Sequence, residues 1–521
     1  MFFRTVATSA AFLVVLAVTG AVAGPAWEPQ PVTEHLQPAT TSTAIGGASA
    51  DAGEPGDYEV RESPVVVALA PGIEVGGLLR EPVGAPDGRP GIVFVHGAGT
   101  GKAADAFTLA ATALASAGIT TLVPDKRLDT YTTRHRDYEA MARDYARSVA
   151  YLRDVPGVDP DRVGLYAESE GAWVSPVMMV DDPRLAFQIL VSAPVVPPRQ
   201  QAAYAVDNYL RNTDVPAGVF RAIPRAVGMR LPGGGFEYAD FDVRPWLTEQ
   251  EDPILAVYGT KDASMPFEQG ARELMADAPD VTVRFYAHAN HGINVETPDG
   301  LVLHPDFAAD LADWVLGLPG TASAPPQVAG AQPEQLYLAS AVPQPHWYGD
   351  GDWLVGVVVT AGGLLVVGPL LLGGAALAGR AARRRPGRPG ARLAAGLREP
   401  LTGLGAGAAA TTVGLVAYLA AVARLALDYE KDAPVVQGGW IGVRLLGIAT
   451  VVAAALLVNR LRDLRGRLVT AVAADAPGRL SVHETPRGGA VVVRTGFWLT
   501  VLGAAALLVT LAYWGVYQLG I

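Results

Sequence analysis

The chain has 521 residues, a net charge of −11, a hydrophobic fraction of 50% and no cysteine. Its length predicts two or more regions. The acidic balance argues against a nucleic-acid partner, and the lack of cysteine excludes disulfides, a thiol nucleophile and cysteine-ligated metals.

The first 24 residues have the pattern of a secretory signal peptide. Arg4 precedes an apolar run over residues 10–18, and residues 21–23 have the small side chains of a cleavage site. An uncleaved membrane anchor is the alternative, because the apolar run is long. Residues 25–58 are rich in Pro, Thr, Ala and Gly without periodicity, which predicts a disordered spacer.

Residues 59–318 alternate between short β-branched runs and helical patterns, which is typical of an α/β fold with a mostly parallel, doubly wound sheet. Two runs around Pro71 and Gly72 predict a hairpin. Further strands are predicted at Gly91–Val95, Ile119–Val123, Arg162–Tyr166, Phe187–Val191, Pro253–Tyr258 and Val281–Tyr286. Helices are predicted at Ala103–Ala117, Tyr138–Arg153, Gly171–Val180, Phe267–Ala276 and Pro305–Leu316. Residues 197–250 interrupt this alternation and are interpreted as a cap or lid.

One predicted strand-to-helix turn reads "GLYAESEGAW" and places Ser169 between the small residues Ala167 and Gly171. A serine hydroxyl becomes a nucleophile when a base removes its proton, and a tight turn lifts it above the sheet. Ala167 stands where a glycine is usual, but it is still small. An ordinary surface serine in a turn is the alternative.

The acid of a serine nucleophile site would follow a later strand. Asp262 lies in the loop after the strand predicted at 253–258. Asp252 and Asp280 are alternatives, but they precede strands and would lie at the opposite edge of the sheet. We therefore prefer Asp262.

The base would follow the next strand, where two histidines compete. We prefer His291 to His288, because Gly292 allows a tight turn that projects the imidazole toward the serine. A metal site of the His-x-x-His type is not expected, since a third ligand is missing nearby.

An oxyanion site needs backbone N–H groups aimed at the developing charge. We expect one from Glu170, directly after the serine. The other is expected from Gly97 or Ala98, in the turn after the strand at 91–95. His96 in the same turn is interpreted as a structural histidine.

The order Ser169, Asp262, His291 on this strand–helix plan resembles the α/β-hydrolase superfamily. Serine esterases, dienelactone hydrolases and prolyl-oligopeptidase catalytic domains are the most similar branches. The resemblance is carried by the stretches "FVHGAG", "PDKR", "SEG" and "YGTKD" and covers about residues 60–318. It implies that Ser169 attacks an acyl carbonyl, that His291 transfers the proton, and that Asp262 orients and stabilises the imidazole. Such acyl transfer to water implies no cofactor.

Other residues are candidates for substrate binding. Glu168 is expected to point into the pocket or to bond the neighbouring loop backbone. Tyr204 and Trp246 are candidate walls of the pocket, as are the lid aromatics Tyr209 and Phe220, but packing would explain each of them equally.

We therefore predict an exported serine hydrolase that acts on esters. A peptidase of the prolyl-oligopeptidase type is one alternative, although the chain upstream is too short for the β-propeller that such enzymes carry. A non-catalytic domain that binds a ligand or partner is the other.

Residues 319–350 are again rich in Pro and Ala and are predicted to be a linker. Four apolar stretches follow, each long enough to cross about 30 Å of hydrocarbon. They cover residues 353–377, 401–427, 440–458 and 490–519. The small residues Gly403 and Gly407 suggest helix–helix contact, including a homo-oligomer formed through these helices.

The loops between these stretches predict the topology. The segment Arg380–Arg398 has seven arginines and Arg460–Arg487 has six, whereas Asp428–Gly439 has one lysine and three acidic residues. Because positive loops stay in the cytoplasm, we expect a multi-pass protein of the cell membrane with its α/β region outside. The lipid bilayer and an ester or acyl substrate are the expected partners.

Overall fold

The structure is a computed structural model that describes residues 2–47, 53–323, 325–382, 390–427, 430–472 and 487–518. Much of the two arginine-rich loops lies outside the described residues. The chain divides into two compact units. The α/β unit comprises Glu28–Asn208 and Phe236–Ala341, and the helical unit comprises Met1–Trp27, Tyr209–Gly235 and Val342–Ile521.

The described strands, in chain order, are β1 (Val60–Ala70), β2 (Ile73–Pro82), β3 (Arg89–Val95), β4 (Thr120–Pro124), β5 (Val158–Glu168), β6 (Gln188–Val191), β7 (Ile254–Gly259), β8 (Val281–Tyr286), β9 (Asn294–Thr297), β10 (Gly300–Leu303), β11 (Val328–Gly330), β12 (Gly390–Leu393) and β13 (Val469–Val472). The main sheet has the order β1-β2-β4-β3-β5-β6-β7-β8-β11. The pairs β1–β2 and β2–β4 are antiparallel, and every later pair in this order is parallel. The mostly parallel sheet predicted from the sequence is thus observed.

The described α-helices are α1 (Phe2–Ala23), α2 (Thr108–Ser116), α3 (Tyr138–Arg153), α4 (Gly171–Asp181), α5 (Pro198–Asn212), α6 (Ala217–Phe220), α7 (Ala222–Gly228), α8 (Arg244–Glu249), α9 (Phe267–Asp277), α10 (Phe307–Gly317), α11 (Gly351–Ala382), α12 (Arg398–Leu427), α13 (Gly439–Asp463) and α14 (Arg487–Tyr513). The predicted helix at 138–153 is confirmed, and the Asp137 side chain caps it by accepting from the Ala140 N–H at 2.9 Å. The helix predicted from Ala103 begins only at Thr108, because Phe107 adopts a left-handed φ of +60° that interrupts it.

The main sheet is apolar on both faces. In β3, Val93 and Val95 join one buried cluster, and Ile92 and Phe94 join the cluster on the other face. Successive side chains of a strand point to opposite faces, so a strand covered on both sides reads as a continuous apolar run.

Parts of the predicted spacer and of the predicted linker pack within the α/β unit. The Ala39 N–H donates to the Val328 carbonyl at 3.0 Å, Arg284 Nε donates to the Thr43 carbonyl at 2.8 Å, and Ile45 is 7% exposed. Strand β11, inside the predicted linker, pairs in parallel with β8. The structure differs from the prediction here because backbone hydrogen bonds and a few buried side chains hold these segments, and neither leaves a periodic pattern.

The predicted cap at 197–250 does not form one lid. Residues up to Asn208 and from Phe236 belong to the α/β unit, whereas Tyr209–Gly235 belongs to the helical unit. Within the helical unit, the Tyr209 hydroxyl donates to the Glu430 carbonyl at 3.0 Å. Tyr209 and Phe220 therefore pack in the helical unit, and the insertion lacks the single hydrophobic core of an independent cap.

Five described helices are long and apolar enough to cross a membrane. Four of them, α11 to α14, correspond to the predicted spans; the last ends at Tyr513 instead of 519, near Gly515 with its left-handed φ of +87°. The fifth is α1, the predicted signal peptide, and it packs with α13 and α14. Arg4 pairs with Asp463 at 3.0 Å, and a methyl group at Gly20 would lie 2.1 Å from the Ala512 carbonyl oxygen.

The two glycines that suggested helix contact face a helix of the same chain. A methyl group at Gly403 would lie 3.3 Å from the Ala453 side chain, and one at Gly407 would lie 2.5 Å from the Thr450 hydroxyl. Both glycines therefore allow α12 and α13 to approach closely. A homo-oligomer would have to use another face.

Candidate active site

Ser169 lies in a sharp turn between β5 and α4. Its φ of +57° is in the left-handed region, which residues with a side chain rarely adopt. A methyl group at Gly171 would lie 2.6 Å from the Val95 carbonyl oxygen, and Ala167 is fully buried. Gly171 therefore leaves no room for a side chain, and the turn leaves the serine partly exposed at the carboxyl edge of the sheet.

Asp262 and His291 meet at the same edge, after β7 and β8. His291 Nδ1 donates to Asp262 Oδ2 at 2.8 Å. The other carboxylate oxygen accepts from the Ser264 N–H at 2.9 Å and from the Ser264 hydroxyl at 2.8 Å. These bonds hold the imidazole in one orientation and one tautomer.

Gly259 at the end of β7 permits this meeting. A methyl group there would lie 2.3 Å from the Ala289 carbonyl oxygen and 2.4 Å from that of Asn290. The loop that carries His291 therefore passes directly over a position where only glycine fits.

The Asp262–His291 pair changes both pKa values. Burial alone would raise the pKa of Asp262, but the charge of His291 and the hydrogen bonds from His291 and Ser264 outweigh it and lower the pKa. Burial alone would lower the pKa of His291, but Asp262 and, more weakly, Glu168 raise it to about 9. The site therefore stabilises a protonated imidazole, the form that a general base reaches during catalysis.

Ser169 and His291 are both tied to the end of β6. The Ser169 N–H donates to the Val191 carbonyl at 3.0 Å, and the Ser192 hydroxyl donates to the His291 carbonyl at 2.8 Å. The structure describes both residues, and no hydrogen bond joins Ser169 Oγ to His291. Such bonds are often long before substrate binds.

The predicted oxyanion residues lie on both sides of the serine. A methyl group at Gly97 would lie 3.2 Å from Ser169 Cβ, so the turn after β3 approaches the serine closely. Within the described part of the chain, the N–H groups of Gly97, Ala98 and Glu170 donate to no acceptor. They are available to a ligand.

His96 is buried, as its predicted structural role requires. His96 Nε2 donates to the Pro124 carbonyl at 2.8 Å, and Nδ1 accepts from the Thr100 hydroxyl at 3.0 Å. Burial is the main reason that its pKa is lowered to about 4. It is neutral near pH 7 and holds the turn.

Sequence reasoning missed a buried charge cluster around the Glu170 side chain. This carboxylate accepts from Lys126 Nζ at 2.9 Å, from Arg136 at 2.6 Å and from the Tyr131 hydroxyl at 2.9 Å. The side chains of Glu170 and Lys126 are each 1% exposed. The lysine of the "PDKR" stretch was the only signal that could have pointed to it.

Glu168 lines a cavity of about 360 Å³ next to the site. Its walls include Phe107, Leu109 and Leu303, and it reaches Gly292 beside His291. Burial raises the pKa of Glu168; the charge of His291 opposes this and that of Asp262 adds to it.

The two predicted aromatic walls do not line this cavity. Tyr204 is buried with Val196 and Ala339, and Trp246 stacks on Phe241 with ring centroids 5.2 Å apart. Packing accounts for both contacts. His288, the competing base, is exposed, whereas His291 makes the bond to Asp262.

The alternative acids lie at the opposite strand ends, where the Asp280 carbonyl accepts from the Ile254 N–H at the start of β7. Asp252 directly precedes the same strand. In the ranges that the structure describes, no group of three or more histidine, aspartate or glutamate side chains is arranged to hold a metal ion.

No protein-family profile and no curated protein matches the chain. Solved structures align with about half of it. A dienelactone hydrolase from Anabaena variabilis is 17% identical over 51% of this chain and 97% of its own, with a TM-score of 0.33. A cold-adapted esterase from an Arctic intertidal metagenomic library is 15% identical over 50% and 97%, with a TM-score of 0.32. The α/β hydrolase GrgF from Penicillium sp. sh18 is 16% identical over 44% and 91%, with a TM-score of 0.33.

At these values the alignments carry no argument about activity or substrate. The strand order of the main sheet and the left-handed turn at Ser169 are observations on this chain itself and do not depend on these alignments.

Proposed function

We propose that this protein is a membrane-anchored serine hydrolase that cleaves carboxylic esters. The observation that carries the proposal is Ser169, held in a left-handed turn at the sheet edge where Asp262 and His291 are paired. A nucleophile, a base and an orienting acid in this order are the parts that acyl transfer needs.

In the proposed reaction, Ser169 Oγ forms a bond to the acyl carbon and its proton passes to His291 Nε2. The carbonyl oxygen becomes an oxyanion, which accepts from the N–H groups of Glu170 and Ala98 or Gly97. When the tetrahedral intermediate collapses, the ester C–O bond breaks and the leaving alcohol takes the proton from His291. Water then repeats the attack, gives a proton to His291, and releases the carboxylic acid and free Ser169.

The cavity beside Glu168 supports a substrate with an apolar portion, since leucine and phenylalanine side chains form part of its wall. The five apolar helices support association with a bilayer. On the arginine-rich loop rule, we place the α/β unit outside the cell.

The activity is tested with a fluorophosphonate probe on the full-length protein in detergent. The wild type and Ser116→Ala, a matched serine at the end of α2, are expected to be labelled, and Ser169→Ala is not. Equal labelling of Ser169→Ala, or no labelling of the wild type, would overturn the proposal. A panel of p-nitrophenyl acyl esters and aminoacyl-nitroanilides separates the predicted esterase from a peptidase.

The full-length protein is the right material for these assays. A fragment of residues 58–318 would lose β11 and Ile45, which belong to the α/β unit. Its failure to fold would be mistaken for lack of activity.

The topology is tested with single cysteines, because the natural chain has none. Val66 is 61% exposed in the α/β unit, and Arg467 is exposed in the second arginine-rich loop. A membrane-impermeant maleimide added to intact cells is expected to label Val66→Cys and not Arg467→Cys. The reverse pattern would place the α/β unit inside.

A further inference from the structure

Lys126 joins the two segments that flank the nucleophile. Its Nζ donates to the Gly97 carbonyl at 2.6 Å and to Glu170 Oε2 at 2.9 Å. Gly97 lies in the turn after β3, and Glu170 directly follows Ser169. One buried ammonium group therefore contacts both parts of the proposed oxyanion site.

The bond to Gly97 fixes the direction of the next N–H group. The Gly97 carbonyl and the Ala98 N–H belong to one planar trans peptide, so they point in opposite directions. An ammonium group held at the carbonyl therefore turns the Ala98 N–H away from Lys126. Donation to the carbonyl also polarises the peptide and strengthens the N–H as a donor.

The need to neutralise the Glu170 carboxylate does not account for a buried lysine at position 126. The Glu170 carboxylate already accepts from the Arg136 guanidinium at 2.6 Å, and the Tyr131 hydroxyl donates to it at 2.9 Å. A second buried cation must also be removed from water, which is unfavourable. The bond to the Gly97 carbonyl is the contact that Lys126 supplies and Arg136 does not.

We propose that Lys126 is a positioning residue that aims the Ala98 N–H at the oxyanion formed when Ser169 attacks the ester. This proposal depends on the proposed hydrolase function and adds a residue to it. Lys126 acts through the peptide and does not touch the substrate.

The first test compares Lys126→Met with the wild type in ester hydrolysis by the full-length protein. Removing an oxyanion donor outright costs about 100- to 1000-fold in kcat. Loss of the donor's orientation alone should reduce the rate less than removal of the donor. We therefore expect kcat to fall roughly 10- to 100-fold with little change in KM. Arg136→Met is the matched control, because it removes an equal charge from the same carboxylate and keeps the bond to Gly97.

The second readout separates positioning from a loss of structure. A thionoester carries sulfur where the oxyanion would form, and sulfur accepts hydrogen bonds weakly. The ratio of kcat/KM for an oxoester to that for its thionoester therefore reports the oxyanion donors. We expect this ratio to fall in Lys126→Met by about the same factor as kcat, and to stay at the wild-type value in Arg136→Met.

An unchanged ratio in Lys126→Met, or an equal fall in Arg136→Met, would overturn the role of Lys126. If Lys126→Met does not fold, the same ratio is measured on Lys126→Gln, whose side chain is one atom shorter and is expected to give the same fall. A wild type that hydrolyses neither ester would overturn the hydrolase function itself, and the role of Lys126 with it.

Discussion

The two units bury different kinds of side chain. The α/β unit buries charges in specific pairs, such as Asp262 with His291 and Lys126 with Glu170. The helical unit instead brings its helices together at small residues such as Gly407. Its outer surface keeps apolar side chains exposed, with Val413 at 69% and Leu370 at 68%.

This difference matches the proposed division between a reactive site in one unit and bilayer association in the other. A buried charge pair is costly to desolvate and gives a defined geometry, so its presence at the carboxyl edge of the sheet indicates a site. Close contacts at glycine and exposed apolar surface are what helices in a bilayer need. Three predictions test this division through substitutions in the polar site or in the packing.

The largest effect is expected for Asp262→Asn. An asparagine cannot stabilise the protonated imidazole and favours the wrong tautomer, so kcat should fall about 10⁴-fold while the fold is kept. The rate is measured with a p-nitrophenyl ester on the full-length protein. Asp252→Asn, at the opposite edge of the sheet, is the control and should stay within about twofold of the wild type. A loss below about tenfold in Asp262→Asn would speak against the Asp–His pair.

A smaller effect is expected when one methyl group is added in each unit. In Gly171→Ala the methyl group meets the Val95 carbonyl oxygen at 2.6 Å, and that backbone lies in a central strand and cannot move aside. We expect the free energy of unfolding to fall by about 2–3 kcal/mol.

In Gly407→Ala the methyl group meets the Thr450 hydroxyl, a side chain that can rotate, at 2.5 Å. Alanine also gains roughly 1 kcal/mol of helix propensity over glycine, so we expect a net change below about 1 kcal/mol. The midpoints of thermal unfolding measure both variants. A larger loss at Gly407 would show that packing in the helical unit is the less tolerant of the two.

The smallest effect is a shift in pH dependence. The base must be neutral to accept the serine proton, so kcat/KM should rise with pH through the raised pKa of His291, about 9. Glu168→Gln removes a negative charge that raises this pKa, so the rising limb should move to lower pH. The pH profiles of kcat/KM for the two proteins measure the shift. If the rising limb stays at the same pH or moves to higher pH, Glu168 does not raise the pKa of His291.

Periodicity was sufficient for the α/β core and for three site residues. The buried strands read as apolar runs, and Ser169, Asp262 and His291 each follow such a run. Because parallel strands end at one edge, residues after separate strands could be expected to meet. Their catalytic roles stay predictions until the assays above are made.

Other features left no pattern that sequence reasoning could use. Lys126 and Glu170 are 44 residues apart, and their pairing depends on how the loop after β4 folds over α4. The segment around Thr43 and Ile45 is held mainly through backbone carbonyls, which every residue has. The insertion at 197–250 divides between the two units because of its tertiary contacts. A Pro- and Gly-rich composition does not predict such contacts.

The packing of α1 has a consequence for biosynthesis. The Thr8 hydroxyl donates to Asn459 Oδ1 at 3.3 Å, across 451 residues of sequence, and Asn459 Nδ2 donates to the Thr5 hydroxyl at 3.4 Å. Asn459 is 1% exposed in α13. Cleavage after Ala23 would leave this amide without its threonine partners in hydrocarbon, where an unpaired polar group costs several kcal/mol. Retention of α1 would therefore keep the Asn459 amide paired with Thr5 and Thr8.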